Sequence, residues 1–285
     1  MKLALYLKLI NENFDSSQYK DYMGGAVAAI RAITKGEDIG IVTARANKEG
    51  HEPLLQAIEN QLSLEIGKKI NIDRDKIDFI NDKNFIAKTN TSASNQFQRK
   101  ALVILSYIMD DKYQYDKIKF YDDDNRNLEA VRSEIINKKN ELKQQINNLL
   151  SSLKQDKDNK YLKKELLKNI KILKRFKNIS LKVYDIKKFD NKKLNKLPNN
   201  TSKVINQKKA LHLFDVDDTL VIVPSKIHVK VGEKRIKSLS PGELPTYTLN
   251  KDEELDYTDF IDNDEIARTV KELKNTTINI FKPKH

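Results

Sequence analysis

The sequence predicts an α/β protein with a parallel central sheet, a small flap or cap and an inserted helical hairpin. Three observations predict it. Short apolar, β-branched runs alternate with helical periodicities from residue 24 to residue 123, as βαβ units require. Three such runs, "LHLF", "IGIV" and "IKFY", end directly in Asp215, in Thr43 and in Asp122 with Asp123, and open α/β sheets place their chemistry at strand carboxyl ends. A lysine- and glutamate-rich stretch with leucines at steps of three and four then interrupts the pattern.

Each element has its own signature. "MKLALYLKLINENF" is weakly signal-like but lacks a small-residue cleavage site, and reads as a strand or helix of the fold. "GGAVAAIRAITKG" has helical spacing and stops at Gly36, a residue suited to a helix C-cap. "DIGIVTAR" is a strand of the kind buried on both faces, and "NKEGHEPLLQAIENQLSLEIG" returns to helix. "KIDFIND" is a strand, "KTNTSASNQ" a polar loop, "QRKALVILSYIMDD" a helix and "DKIKFYDDD" a strand. From Leu128 to Leu173 two amphipathic stripes flank the turn "KQDKDNK", which predicts an antiparallel helical hairpin. A spacer role for it is preferred over a partner- or nucleic-acid-binding arm. "ISLKVYDI" is one more strand, and a polar linker containing Pro198 leads to "ALHLFDVDDTL". "KIHVKVGEKRIKSL" reads as a β-hairpin around Gly232, and "SPGELPTY" as the start of a helical turn.

Composition narrows the class. No apolar run approaches the roughly 20 residues that span a bilayer. The chain has no Cys, which excludes disulfides, thiolate zinc sites and a cysteine nucleophile and fits a reducing cytoplasm. The formal charge of +12 permits nucleic-acid binding without requiring it, because much of the surplus sits in the hairpin segment. His51, His212, His228 and His285 show no metal-site spacing. No G-x-x-x-x-G-K-[ST] loop is present.

"DVDDT" (215–219) resembles the Asp-x-Asp-x-Thr/Val motif that opens the haloacid dehalogenase (HAD) superfamily. "IVTAR" is then similar to the second motif with Thr43 at its strand end, Lys100 in "QRKALVI" to the third-motif lysine with Lys88 as competitor, and "FYDDDNRN" to the acidic fourth motif. "SKIHV", "SLSPGEL" and "YTDF" also look similar to phage-borne HAD proteins. The resemblance implies a Rossmann-like HAD core. Its parts would be residues 1–127 and 179–190, with 128–178 as the hairpin, 191–209 as linker and 210–285 as nucleophile strand plus flap or cap.

The resemblance also implies roles. Asp215 would form an aspartyl-phosphate, and Asp217 would act as acid and then base while its backbone carbonyl touches the metal. Asp215 and Asp123 would bind Mg²⁺. Thr43 and the Ala44 amide would hydrogen-bond the phosphoryl oxygens, with Lys100 offsetting charge. Asp122 and Asn127 would support the metal or its waters; Asp218 and Thr219 would fix the loop. Each feature has a plainer reading too: aspartates cap helices and turns, Thr43 could be a cap, and lysines are everywhere in this chain.

The expected activity is Mg²⁺-dependent phosphomonoester hydrolysis on a phosphorylated small molecule or a nucleic-acid end, with no membrane partner. The alternatives are a non-catalytic HAD-like scaffold that uses the hairpin for interaction or self-association, and an inactive product of gene rearrangement. In the usual HAD chain the Asp-x-Asp strand comes first, whereas here it comes last. Circular permutation is the simpler expectation, over two half-sites completed by swapping between molecules.

Overall fold

The computed structural model describes residues 24–45, 52–89, 95–186, 209–217, 219–221, 226–239 and 247–256, with 243 and 258. The amino-terminal segment, the linker, Asp218, most of "SPGELPTY" and the carboxyl-terminal stretch lie outside the described residues.

Helix α1 (Gly24–Thr34) is apolar almost all round and buries eight of its residues. It ends at Gly36, whose φ of 71° suits the left-handed cap, with Gly36 N–H donating to Ile33 O and Glu37 N–H to Ala32 O. Strand β1 (Asp38–Thr43), helix α2 (Glu52–Ile66), a short 3₁₀ turn and strand β2 (Ile77–Phe79) follow. Helix α3 (Lys83–Thr89), about two turns not foreseen from the sequence, leads to α4 (Gln96–Met109). A capping box between Asn95 and Gln98 starts α4. Strand β3 (Lys117–Asp122) feeds the hairpin α5 (Asn125–Gln155) and α6 (Lys160–Asn178), then β4 (Ser180–Asp185) and β5 (Ala210–Phe214).

The five strands form one parallel sheet in the order β2-β1-β5-β3-β4. The last of these five strands in the chain is therefore the central one, and all five of its residues are buried. Helices α1 and α2 cover one face through Ile30, Leu55 and Ile58 against Ile41 and Phe214. Helices α4, α5 and α6 cover the other, with Ile104, Val131 and Phe176 near Phe120 and Leu213. Burial on both faces explains why β5 and the end of β1 read as apolar runs, while the edge strand β4 (SLKVYD) is only half-covered. Strands β6 (Ile227–Val231), β7 (Lys234–Leu239) and β8 (Glu254–Asp256) make a small antiparallel sheet, with β6 and β7 joined at Gly232 as expected and β8 added to the other edge of β6. No helix among the described residues is long and apolar enough to cross a membrane.

One polar group interrupts the central strand. His212 is buried on the α1 side; its Nε2 lies 2.6 Å from Glu37 Oε2, and its Nδ1 3.1 Å from the Tyr121 hydroxyl. Tyr184, Tyr121 and Phe214 stack beside it at 4.9 and 4.6 Å between rings. Burial pushes the Glu37 carboxyl up, but the His212 hydrogen bond and the charges of His212, Lys119 and Lys35 outweigh it and hold it at about 2. That lies below its ordinary 4.5, so the unfolded chain takes the proton first. The stabilisation is complete above that ordinary value and is lost as pH falls through the folded one. Urea unfolding across this acid range should show a loss of stability in the native chain that is smaller in Glu37→Gln; identical acid profiles would refute the pairing.

Candidate active site

Parallel strands deliver their carboxyl ends to one edge, and the register fixes which residues meet there. Phe214 lies beside Ile41 on β1 and beside Tyr121 on β3. Asp215 therefore emerges beside Asp122, level with Val42 and one residue short of Thr43, and its N–H still donates to Tyr121 O at 3.0 Å. Phe120, Leu213 and Phe214, all fully buried, lie beneath this edge. The charges above sit on an apolar wall that weakens solvent screening.

Asp122, Asp123 and Asp215 each offer an oxygen within 4.8 Å of the others, and all three are buried. Lys100 reaches them from the buried face of α4, with Nζ 2.8 Å from Asp122 Oδ2 and 2.9 Å from Asp215 Oδ1. Burial alone would lower the ammonium's pKa, but Asp122 and Asp215 outweigh it and keep Lys100 protonated well above its usual range. Burial pushes the Asp215 carboxyl far up; Lys100 opposes this, while Asp122, Asp217 and Asp123 add to it.

The run Asp122–Asp124 divides three ways. Asp122 is spent on internal bonds: besides Lys100 it accepts from Asp124 N–H at 2.9 Å and Asn127 Nδ2 at 2.8 Å. Asp123 joins the acid group. Asp124 caps α5 by accepting from Arg126 N–H, and pairs with the Arg126 guanidinium at 2.7 Å. The buried Asn127 Oδ1 has no hydrogen-bond partner among the described residues.

Thr43 is buried at the end of β1, where its Oγ1 accepts from Arg45 N–H at 3.3 Å. Ala44 follows it, its carbonyl accepting from Asn81 Nδ2, while Arg99 holds Asn81 Oδ1 at 2.7 Å. Asp217 stands apart from the three-acid group. Both of its carboxylate oxygens accept from Arg45, Oδ2 from Nε at 3.2 Å and Oδ1 from Nη2. Thr219 is fully buried, in a turn whose Leu220 and Val221 N–H groups donate to Val216 O. Its carbonyl lies where a side chain on Gly25 would stand, 2.1 Å from an ideal Cβ, so the start of α1 can press against this turn only because residue 25 is glycine.

Asp215, Asp122, Asp123, Asn127 and Lys100 thus converge, with Thr43 and Asp217 on neighbouring loops. The competitor Lys88 has no described side chain, and Lys100 fills the place between the acids. Sequence reading missed Arg45 and Asn81. For Arg45 the available signal was a lone arginine two residues past a buried strand, which needs an acid if it is to be buried.

Removing one partner of a buried ion pair strands the others. Lys100→Met should therefore lower the unfolding free energy of the metal-free chain by about 3–5 kcal/mol, measured by urea denaturation in chelator; a change below about 1 kcal/mol would deny the ammonium this role. No family model, curated protein or solved structure matches this chain, and its own residues carry the functional reading.

Proposed function

We propose that this chain is a circularly permuted HAD-type phosphomonoester hydrolase with Asp215 as nucleophile. One observation carries the reading: Asp215, from the last sheet strand, shares the Lys100 ammonium with Asp122 and lies within metal-ligand reach of Asp123. A single chain supplies all of these groups, which favours permutation over half-sites completed by swapping.

The clustering of acids supports a divalent cation. Asp122, Asp123 and Asp215 bring buried carboxylate oxygens within 4.8 Å of one another. The all-oxygen donors suit magnesium, and the open Asn127 acceptor suits a bound water. Asp215 and Asp123 would hold the ion, with the Asp217 carbonyl beside it and Asp122 and Asn127 behind. When bound, magnesium would neutralise the phosphoryl group and orient it.

The chain's residues would then act as follows. Lys100 holds Asp215 Oδ1, so Oδ2 attacks phosphorus. The bond from phosphorus to the leaving oxygen breaks, and that oxygen takes a proton from Asp217. Water next attacks the aspartyl-phosphate and returns a proton to Asp217, and phosphate leaves. The Thr43 hydroxyl and Ala44 amide donate to the phosphoryl oxygens. Arg45 must loosen its grip before Asp217 can carry a proton, which makes Arg45 a positioning residue.

The second reading, a binding scaffold without turnover, draws on that same grip, since both Asp217 oxygens are already taken. Hydrolysis of an aryl phosphate separates the two. Turnover should require Mg²⁺ and fall by at least about three orders of magnitude in Asp215→Asn; turnover that survives this substitution removes the nucleophile. Arg45→Lys should lower kcat by about tenfold or more while changing KM little, and an effect confined to KM would instead place Arg45 on the substrate. Mg²⁺ should raise the thermal midpoint of the native chain but not of Asp123→Asn; an equal rise in both would place the ion elsewhere.

A further inference from the structure

The positive charge is not spread evenly. Residues 125–178 contain fifteen Lys and Arg against six Asp and Glu, a net of +9 out of +12 for the whole chain. Within the hairpin the bias falls on α6, where eight cations face one acid, Glu165. Every exposed charged residue of α6 is a lysine, seven in all from Lys160 to Lys177. Their spacing spreads them over about half of the helix circumference, while Leu162, Leu173 and Phe176 lie on the other half. Lys163, Lys168 and Lys171 find acids at 3.8, 3.7 and 2.5 Å. Lys160, Lys164, Lys174 and Lys177 make no ion pair among the described residues.

The arm points away from the acid edge. Helix α5 leaves directly after Asp124 and α6 returns to the amino end of β4, which in a parallel sheet is the opposite edge. Past Leu142 no side chain of α5 is buried, and α6 buries only Asn169 and Phe176. About 20 Å of hairpin therefore stands clear of the core, too far from the carboxylates to serve as their lid.

We infer that the lysine face of α6 docks on the phosphate backbone of a nucleic acid, as a surface separate from the acid group. A straight rod of about 28 Å matches most of one duplex turn of about 34 Å, and a row of unpaired ammonium groups complements closely spaced phosphates. A membrane surface fits less well, because interfacial helices insert an apolar face and α6 spends its own on α5. Only Tyr161 and Leu167 are large apolar residues exposed among the lysines. A second copy fits worst, since two arms of +9 repel. The inference does not rest on the phosphatase reading, and Asp215→Asn should leave it intact.

The test is fluorescence anisotropy of a labelled 20-base-pair duplex with the full chain. The logarithm of affinity should fall linearly with the logarithm of salt, with a slope of about −4 to −6 for four to seven phosphate contacts. Replacing Lys160, Lys164, Lys174 and Lys177 by Glu should weaken binding by about 100-fold or more at low salt, with circular dichroism and thermal midpoint unchanged. The same four positions as Arg should keep the affinity. The inference is overturned by no binding at 50 mM salt, by equal affinity in the Glu variant, or by tighter binding to phosphatidylserine vesicles than to the duplex.

Discussion

The buried ammonium of Lys100 is the interaction on which the acid edge of the sheet depends. It lies between carboxylates that belong to different strands, Asp122 at the end of β3 and Asp215 just past β5. Without it, seating β5 in the sheet would bring Asp215 beside Asp122 and Asp123 on an apolar wall, where like charges repel with little screening. With it, the same juxtaposition becomes attractive. The apolar strand brings the acid to the edge, and the lysine makes its arrival tolerable.

This dependence has a consequence for assembly. Strands β1 and β3 flank β5 and are not neighbours of each other. Until residues 210–214 are in place, β2-β1 and β3-β4 are separate parallel pairs, each with an open inner edge. Such edges invite wrong pairing, and closing them requires contacts of high sequence separation, which form slowly. The complete burial of β5 and the ladder bond from Asp215 N–H to Tyr121 O reward that late step.

Most of the sheet was legible in the sequence because strands buried on both faces are mostly apolar, and "IGIV", "IKFY" and "LHLF" are so apart from Lys119 and His212. The hairpin was legible from its leucine steps, though it begins at Asn125 rather than Leu128 because Asp124 supplies the cap. Nothing local separates a capping aspartate from a ligand aspartate in "DDDN", and the three-way division appears only once Lys100, the acid group and the α5 amides are in view. Arg45 escaped because its partner lies 172 positions away, a distance at which periodicity says nothing. Strand β8, of three residues, and the seven-residue α3 are too short to show a period.

The acid group and the lysine arm lie at opposite edges of the sheet, and this bears on how the two proposed roles relate. Three buried carboxylates gather at the carboxyl edge, while α5 and α6 project past the amino edge. Screening confines surface charges to about 8 Å at physiological salt, so a polyanion docked on the arm, as inferred above, would feel little of the acid group. Under the two proposals the lysines would govern retention on the molecule, and a cation among the acids would govern entry to the site. Each role could then be lost without the other, because no charged group is common to both.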